Sequence, residues 1–198
     1  MEKNIIMNKL IFASSNPGKI QEIKALLPEW NIVGLSDIKW DTEIEETGKT
    51  LAENAEIKAS TIYTATGIPV FADDTGLLVD ALNGEPGVYS ARYAGPECDA
   101  NANMDKMLLA LNGESNRKAR FCTSICFMDG KGVHFFEGEV LGNIAAQRLG
   151  EKGFGYDPIF VPEGSDLSFA QMTSQKKNEI SHRGRALQKL KQFLTKTN

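Results

Sequence analysis

The chain has 198 residues, 41% hydrophobic and 24% charged, with a formal net charge of −4. That length suffices for one domain with a sizeable core, and the acidic balance argues against general affinity for nucleic acid. Three cysteines, an odd number, and the lack of any apolar run near the ~20 residues of a membrane span point to a reducing, cytoplasmic setting.

Residues 1–8 read as a short frayed extension, and the whole of 1–198 as a single domain. KLIFA (9–13) has the pattern of a short buried strand, and SSNPGK (14–19) that of a loop. Ile20, Ile23, Leu26 and Leu27 then share a helical face that Pro28 closes. NIVGL (31–35) is a second strand, followed by an acidic loop over 36–48. Thr50 and Glu53 have capping-box spacing, and the helix they open should run to about Thr64 with Leu51, Ala55, Ala59 and Ile62 inward. Gly67 and Pro69 end it. PVFA (69–72) and GLLVDAL (76–82) read as two successive strands, which places Asp73 and Asp74 at a strand end. Met104, Met107, Leu108 and Leu111 mark a third helix. KARFCTSICFMD and GVHFFEGEV form a hairpin through GKG. GFGYDPIFVPEG holds one short strand, and a last helix starts near Ser181 with Leu187, Leu190 and Leu194 as its stripe. Strands alternating with helices and then a hairpin predict an α/β fold, a mixed central sheet flanked by helices with a smaller lobe.

Several stretches could carry chemistry. A small-residue loop entering a helix presents N–H groups that suit a phosphate, and Lys19 adds charge. It is not a P-loop, because Ala13 stands where that motif needs glycine and Ile20 where it needs Ser or Thr. Alone, it equally suits a plain strand-to-helix turn. With only His134 and His182 present, a metal would be a hard cation on carboxylates. Glu45, Glu46, Asp73 and Asp74 supply such carboxylates, and a divalent cation would relieve their repulsion. Asn54 and Lys58 are one turn apart on a helix. Phe154 and Tyr156, between glycines and beside Asp157, could stack on a base and read its edge, or simply end a strand. Lys176, Lys177, His182, Arg183 and Arg185 cluster near a helix start, where cations oppose the dipole and favour an anionic partner.

Taken in order, FASSNPGKIQEI, EETGKTLAENAEIKA, FADDTGLLVDALNGEPGVYSARYAG, GFGYDPIF and ISHRGRAL resemble the inosine triphosphate pyrophosphatase family, the XTP/dITP diphosphatases of bacterial type. The resemblance covers nearly the whole chain. It implies hydrolysis of ITP, dITP and XTP to the monophosphate and pyrophosphate with Mg²⁺, which cleanses the nucleotide pool of deaminated purines. It also implies an elongated two-lobed domain with the active site in the cleft between lobes, and a homodimer without a membrane or stable nucleic-acid partner. By motif, Ser14, Ser15, Asn16, Pro17, Gly18 and Lys19 would hold the triphosphate. Asp74 would be the general base, with Lys58 near the phosphates. Glu45 and Asp74 would hold the metal, with Asp73 and Glu46 as helpers. Thr75, Phe154, Gly155, Tyr156, Asp157, Lys177, His182 and Arg183 would contact the nucleotide. Ser15 departs from the family's usual glycine, and Thr75 stands where serine is common. Two other classes stay open, a pyrophosphatase for another modified nucleotide and a silent nucleotide-binding protein.

Overall fold

The computed structural model describes residues 9–197; the expected N-terminal extension lies outside them. β1 (Lys9–Phe12), α1 (Pro17–Leu26) and β2 (Asn31–Val33) form the first α/β unit. α2 (Leu51–Thr66) leads into β3 (Val70–Val79), and β4 (Pro86–Gly87) folds back onto the end of β3. α3 (Ala100–Ala110) precedes the long hairpin of β5 (Lys118–Met128) and β6 (Val133–Ile144). β7 (Phe160–Pro162), α4 (Ser174–Ile180) and α5 (His182–Thr197) follow. One mixed sheet runs through all of this in the order β2-β1-β3-β5-β6-β7, with β4 against β3. β1 is parallel to β2 and β3, and the other pairs are antiparallel.

Alternation along the strands sorts the core into layers. Leu10, Phe12, Phe71 and Ile125 face α1 and α5, packing on Ile23, Leu187 and Leu190. Ile11, Val70, Ala72 and Cys126 face the opposite way and meet Ala55, Ala59 and Ile62 of α2. The small alanines let α2 lie close to the sheet. Its ends are fixed by the expected capping box between Thr50 and Glu53 and by Gly67 at φ 63°. At the far end of the long strands, Leu77, Val79 and Phe121 build a second lobe with Met104, Met107, Phe160 and Phe169.

One expectation needs correction here. The stretches 69–72 and 76–82 are not separate strands. β5 pairs with β3 residue for residue from Val70↔Met128 to Val79↔Ala119, so Asp73 and Asp74 lie in mid-strand. Acids are poor strand formers, but here each carboxylate meets cations, which offsets the cost. The last helix starts at His182, as expected, and a short helix not expected, α4, precedes it; Ser181 is extended (φ −70°, ψ 157°) between the two, and its hydroxyl accepts from the Gly184 N–H at 3.1 Å. Lys177 thus sits in the last turn of α4, where its charge agrees with the helix dipole.

The feature that places the site is a gap. β1 accompanies β3 only to Phe71, and β4 begins at Leu77. Residues 72–76 therefore have β5 on one edge and no strand on the other.

Candidate active site

A cleft of about 910 Å³ opens at this gap, between the two lobes. Because the sheet edge is interrupted there, the cleft reaches side chains from both faces of β3: Lys58 and Asp74 from the α2 side, Lys19, Thr75 and Arg183 from the α1/α5 side. A second cavity of about 950 Å³ lies along β5, β6 and the polar face of α5, away from these groups.

Adjacent residues of a strand face opposite ways, and the two aspartates have opposite environments. Asp73 is 1% exposed and bonded to the Lys19 ammonium at 2.9 Å and the Arg183 Nε at 3.0 Å. Burial alone would raise its pKa, but the charges of Lys19, Arg183 and Lys58 outweigh burial and hold the carboxyl well below its usual range. Asp74 is 8% exposed. It accepts from the Asn54 amide at 3.2 Å and from Lys58 Nζ at 3.4 Å. Lys58 is shared with Glu46 at a closer 2.8 Å, so Asp74 is the weaker-held acid. Burial, reinforced by the like charge of Glu46, raises the Asp74 pKa against the pull of Lys58. One carboxylate is thus fixed as an anion, while its neighbour is poised to take a proton.

This division predicts titration shifts of opposite sign. In the ligand-free protein Asp74 should titrate above the ordinary value of about 4. Lys58→Met should move it higher, and Glu46→Gln should move it lower. Carboxyl ¹³C NMR of the two variants reads both; shifts in the same direction would contradict the assignment.

Residues 14–19 form the turn from β1 into α1, as their pattern predicts. Asn16 caps α1, its side chain accepting from the Lys19 N–H at 3.1 Å, and Pro17 occupies the first helical positions. Ser14, Ser15, Asn16 and Lys19 line the cleft; Pro17 and Gly18 shape the turn behind them. A Cβ on Gly18 would lie 3.0 Å from the Phe154 ring, so glycine is what lets the two loops touch. Burial, with Arg183 and Lys58 nearby, lowers the Lys19 ammonium despite Asp73, and an anionic ligand would reverse that.

At the other end, Lys177 donates to Asp157 at 2.7 Å and lies 4.5 Å from the centre of the Phe154 ring. The Phe154 N–H donates to the same Asp157 carboxyl at 2.9 Å, and Gly155 turns the chain at φ 62°. Burial raises the Asp157 pKa against the Lys177 cation. Tyr156 is turned inward, its phenol donating to the Ser90 carbonyl at 2.8 Å and tying this loop to the segment after β4. His182 is buried and stacks on Phe121 at 4.6 Å between ring centroids. Its Nδ1 has no partner, and burial together with Arg183 and Lys177 keeps the ring neutral. Arg183 also donates to the Thr75 hydroxyl at 3.3 Å, and Thr75 shares a 2.7 Å bond with Thr123.

Glu45 is not brought in: it is exposed on the loop, and Glu46 is the acid that reaches Lys58. Sequence reasoning also passed over Glu22 and Arg92. Glu22 is one turn beyond Lys19 on α1 and accepts from both Lys177 and Arg183. Arg92 lines the cleft 4.0 Å from Glu46. Nothing local marked either residue: the partners of Glu22 lie in α4 and α5, and Arg92 follows β4.

Among the described residues no group of three or more His, Cys, Asp or Glu gathers into a ready metal cage. The donor set still fits Mg²⁺, which typically takes one or two carboxylates and fills its shell with water and phosphate oxygens. Asp74 and Glu46 flank one lysine, and their like charges already raise the Asp74 pKa, a conflict a cation would remove.

The model of the Ham1 family matches residues 10–193. A dITP/XTP pyrophosphatase of Porphyromonas gingivalis is 50% identical over 190 residues, covering 95% of this chain and 98% of that protein. The dITP/XTP pyrophosphatase of Bacillus subtilis is 46% identical over 195 residues, 96% of this chain and 98% of that one. The solved structure of the Staphylococcus aureus Ham1 protein superposes with a TM-score of 0.87 at 41% identity, covering 96% of this chain and all 100% of that one.

Proposed function

The chain belongs to the Ham1 family, and from that premise we propose that its cleft hydrolyses the triphosphates of deaminated purines (dITP, ITP and XTP) to the monophosphate and pyrophosphate. The observation that carries this reading is the contrast at mid-β3: a base-like Asp74 beside an Asp73 that gathers two cations. Lys19, Lys58, Lys177 and Arg183 converge on one cleft, but Glu22, Glu46, Asp73, Asp74 and Asp157 already pair them. A polyphosphate entering so balanced a site must draw cations away from their carboxylates or arrive with a cation of its own.

Asp74, with Glu46 or an inward-turned Glu45, is where Mg²⁺ would be held. When bound, the ion would neutralise phosphate oxygens as a Lewis acid. The protein's own groups do the rest. The N-terminus of α1 and Lys19 hold the phosphate chain. Asp74, as general base, accepts the proton of the attacking water, and Asn54 keeps its carboxyl oriented. Lys58 and Arg183 stabilise charge that grows on the leaving pyrophosphate. At the far end Phe154 offers a stacking face, and the Lys177–Asp157 pair offers a donor beside an acceptor. Hypoxanthine presents an acceptor at C6 and a donor at N1, which match that pair; adenine reverses both. Mismatched buried polar groups can discriminate by up to ~10⁴–10⁵. By the same resemblance the working form is a cytoplasmic homodimer of single-domain subunits that takes free nucleotides rather than nucleic acid. No described helix is long and apolar enough to cross a membrane.

A substrate panel with pyrophosphate detection, with and without Mg²⁺, tests the reading. ITP, dITP and XTP should be cleaved in preference to ATP and GTP, and only with the metal. Comparable rates on all five would overturn it, as would preference for a modified pyrimidine.

A further inference from the structure

We propose that Glu22 is a positioning residue that links recognition of the base to the cations at the phosphate end. The inference rests on the functional reading above. Six side chains form an unbroken chain of alternating charge: Asp157, Lys177, Glu22, Arg183, Asp73, Lys19. Lys177 Nζ donates to Asp157 Oδ2 at 2.7 Å and to Glu22 Oε1 at 2.8 Å. The Arg183 guanidinium donates to Glu22 Oε2 at 2.7 Å and to Asp73 Oδ2 at 3.0 Å. Lys19 Nζ closes the series on Asp73 Oδ1 at 2.9 Å.

Each inner acid, Glu22 and Asp73, gives a different oxygen to each of its two cations, so each carboxylate spans the pair. Among the described residues, Glu22 alone hydrogen-bonds both Lys177, in the half of the series that faces the base, and Arg183, in the half that faces the phosphates. It is not among the residues that line the cleft, so it acts through its partners rather than on a ligand. The Glu22 side chain is 15% exposed, against 7% for Lys177 and 3% for Arg183, so these bonds lie in a low-dielectric setting where they couple strongly. Without Glu22, two buried cations from adjacent helices would be left near each other and near the Phe154 ring, whose centre lies 4.5 Å from Lys177 and 5.4 Å from Arg183, with no acid between them.

This bears on how hypoxanthine could be told from guanine, a 6-oxo purine with the same C6 and N1 groups and an added 2-amino group. A donor that merely reaches the 6-oxo group accepts both bases. A donor clamped between Asp157 and Glu22 cannot turn away from a 2-amino group, itself a donor, without pulling on Arg183, whereas the 2-oxo group of xanthine is an acceptor. A poorly seated base therefore misplaces the phosphate-end cations, and small misplacements cost large factors in rate.

The test is steady-state kinetics of Glu22→Gln and Glu22→Asp on ITP and GTP, with inhibition by inorganic tripolyphosphate, which has no base. For Glu22→Gln, kcat/KM on ITP should fall roughly 10- to 100-fold. The ITP-to-GTP ratio should fall about tenfold, and the tripolyphosphate inhibition constant should stay within about threefold. Glu22→Asp should recover part of the ratio. Equal losses on ITP and GTP, with the ratio intact, would mean a merely structural role and overturn the proposal, as would unchanged kinetics. If Glu22→Gln fails to fold, the same ratio read on Glu22→Asp decides. A wild-type protein that does not favour ITP over GTP would instead sink the substrate reading on which this rests.

Discussion

Asp74→Asn is expected to lower kcat by about 10²- to 10⁴-fold while nucleotide binding stays within a few-fold of wild type. Asparagine has nearly the same volume, and its carbonyl can still accept from Lys58. It cannot accept a proton from water. Lys58 keeps its closer partner Glu46, so the phosphate-end cations stay in place. The measurement is single-turnover hydrolysis of ITP alongside equilibrium binding. Near-wild-type turnover would remove Asp74 from the chemistry, and lost binding would recast it as a binding group. Little stability should be lost, because the fold disfavours the ionised form of Asp74 through burial and Glu46.

The neighbouring substitution should behave in the opposite way. Asp73→Ala leaves Arg183 and Lys19 without their shared acceptor. Breaking a buried pair by removing one partner costs about 3–5 kcal/mol. The lower end applies here, because Arg183 keeps Glu22 and the Lys19 side chain is 18% exposed. At about 3 kcal/mol, Tm should fall by roughly 6–12 °C for a chain of this size. Thermal unfolding with and without urea reads this; a shift under about 2 °C would mean the pairs contribute little. The pH dependence has a definite sign. The folded-state pKa of Asp73 is depressed, so its contribution is complete above the ordinary value of about 4 and fades only as pH falls toward the lower folded value.

What the sequence revealed follows from the range of the interactions involved. The capping box at Thr50, the helical faces and the β5–β6 hairpin are local patterns, and all appear. The loop at 14–19 and the pairing of Asn54 with Lys58 on one face are local too, and both converge on the cleft. Long-range pairing was out of reach. Asp73 looks like a strand end because its compensating cations lie 54 and 110 residues away. The same distance hid Glu22, whose partners are 155 and 161 residues on. The choice between Glu45 and Glu46 depends on how an irregular loop is turned, which no periodicity encodes. The short helix α4 was missed because its seven residues, SQKKNEI, are almost all polar and show no apolar stripe.

The two aspartates owe their separate duties to a count of one. A strand alternates its faces residue by residue, and β5 fixes the register of β3 along its full length. Inserting one residue ahead of Asp73 would move it into the surroundings of Asp74 and push Asp74 to the position of Thr75, and deleting one would move Asp74 into the ion-pair position and Asp73 to that of Ala72, without altering any residue's chemistry. Point substitution can tune this site gradually, but a change in length there would disrupt it in a single step, so the spacing along β3 constrains how such a chain can vary as firmly as the identity of the acids does.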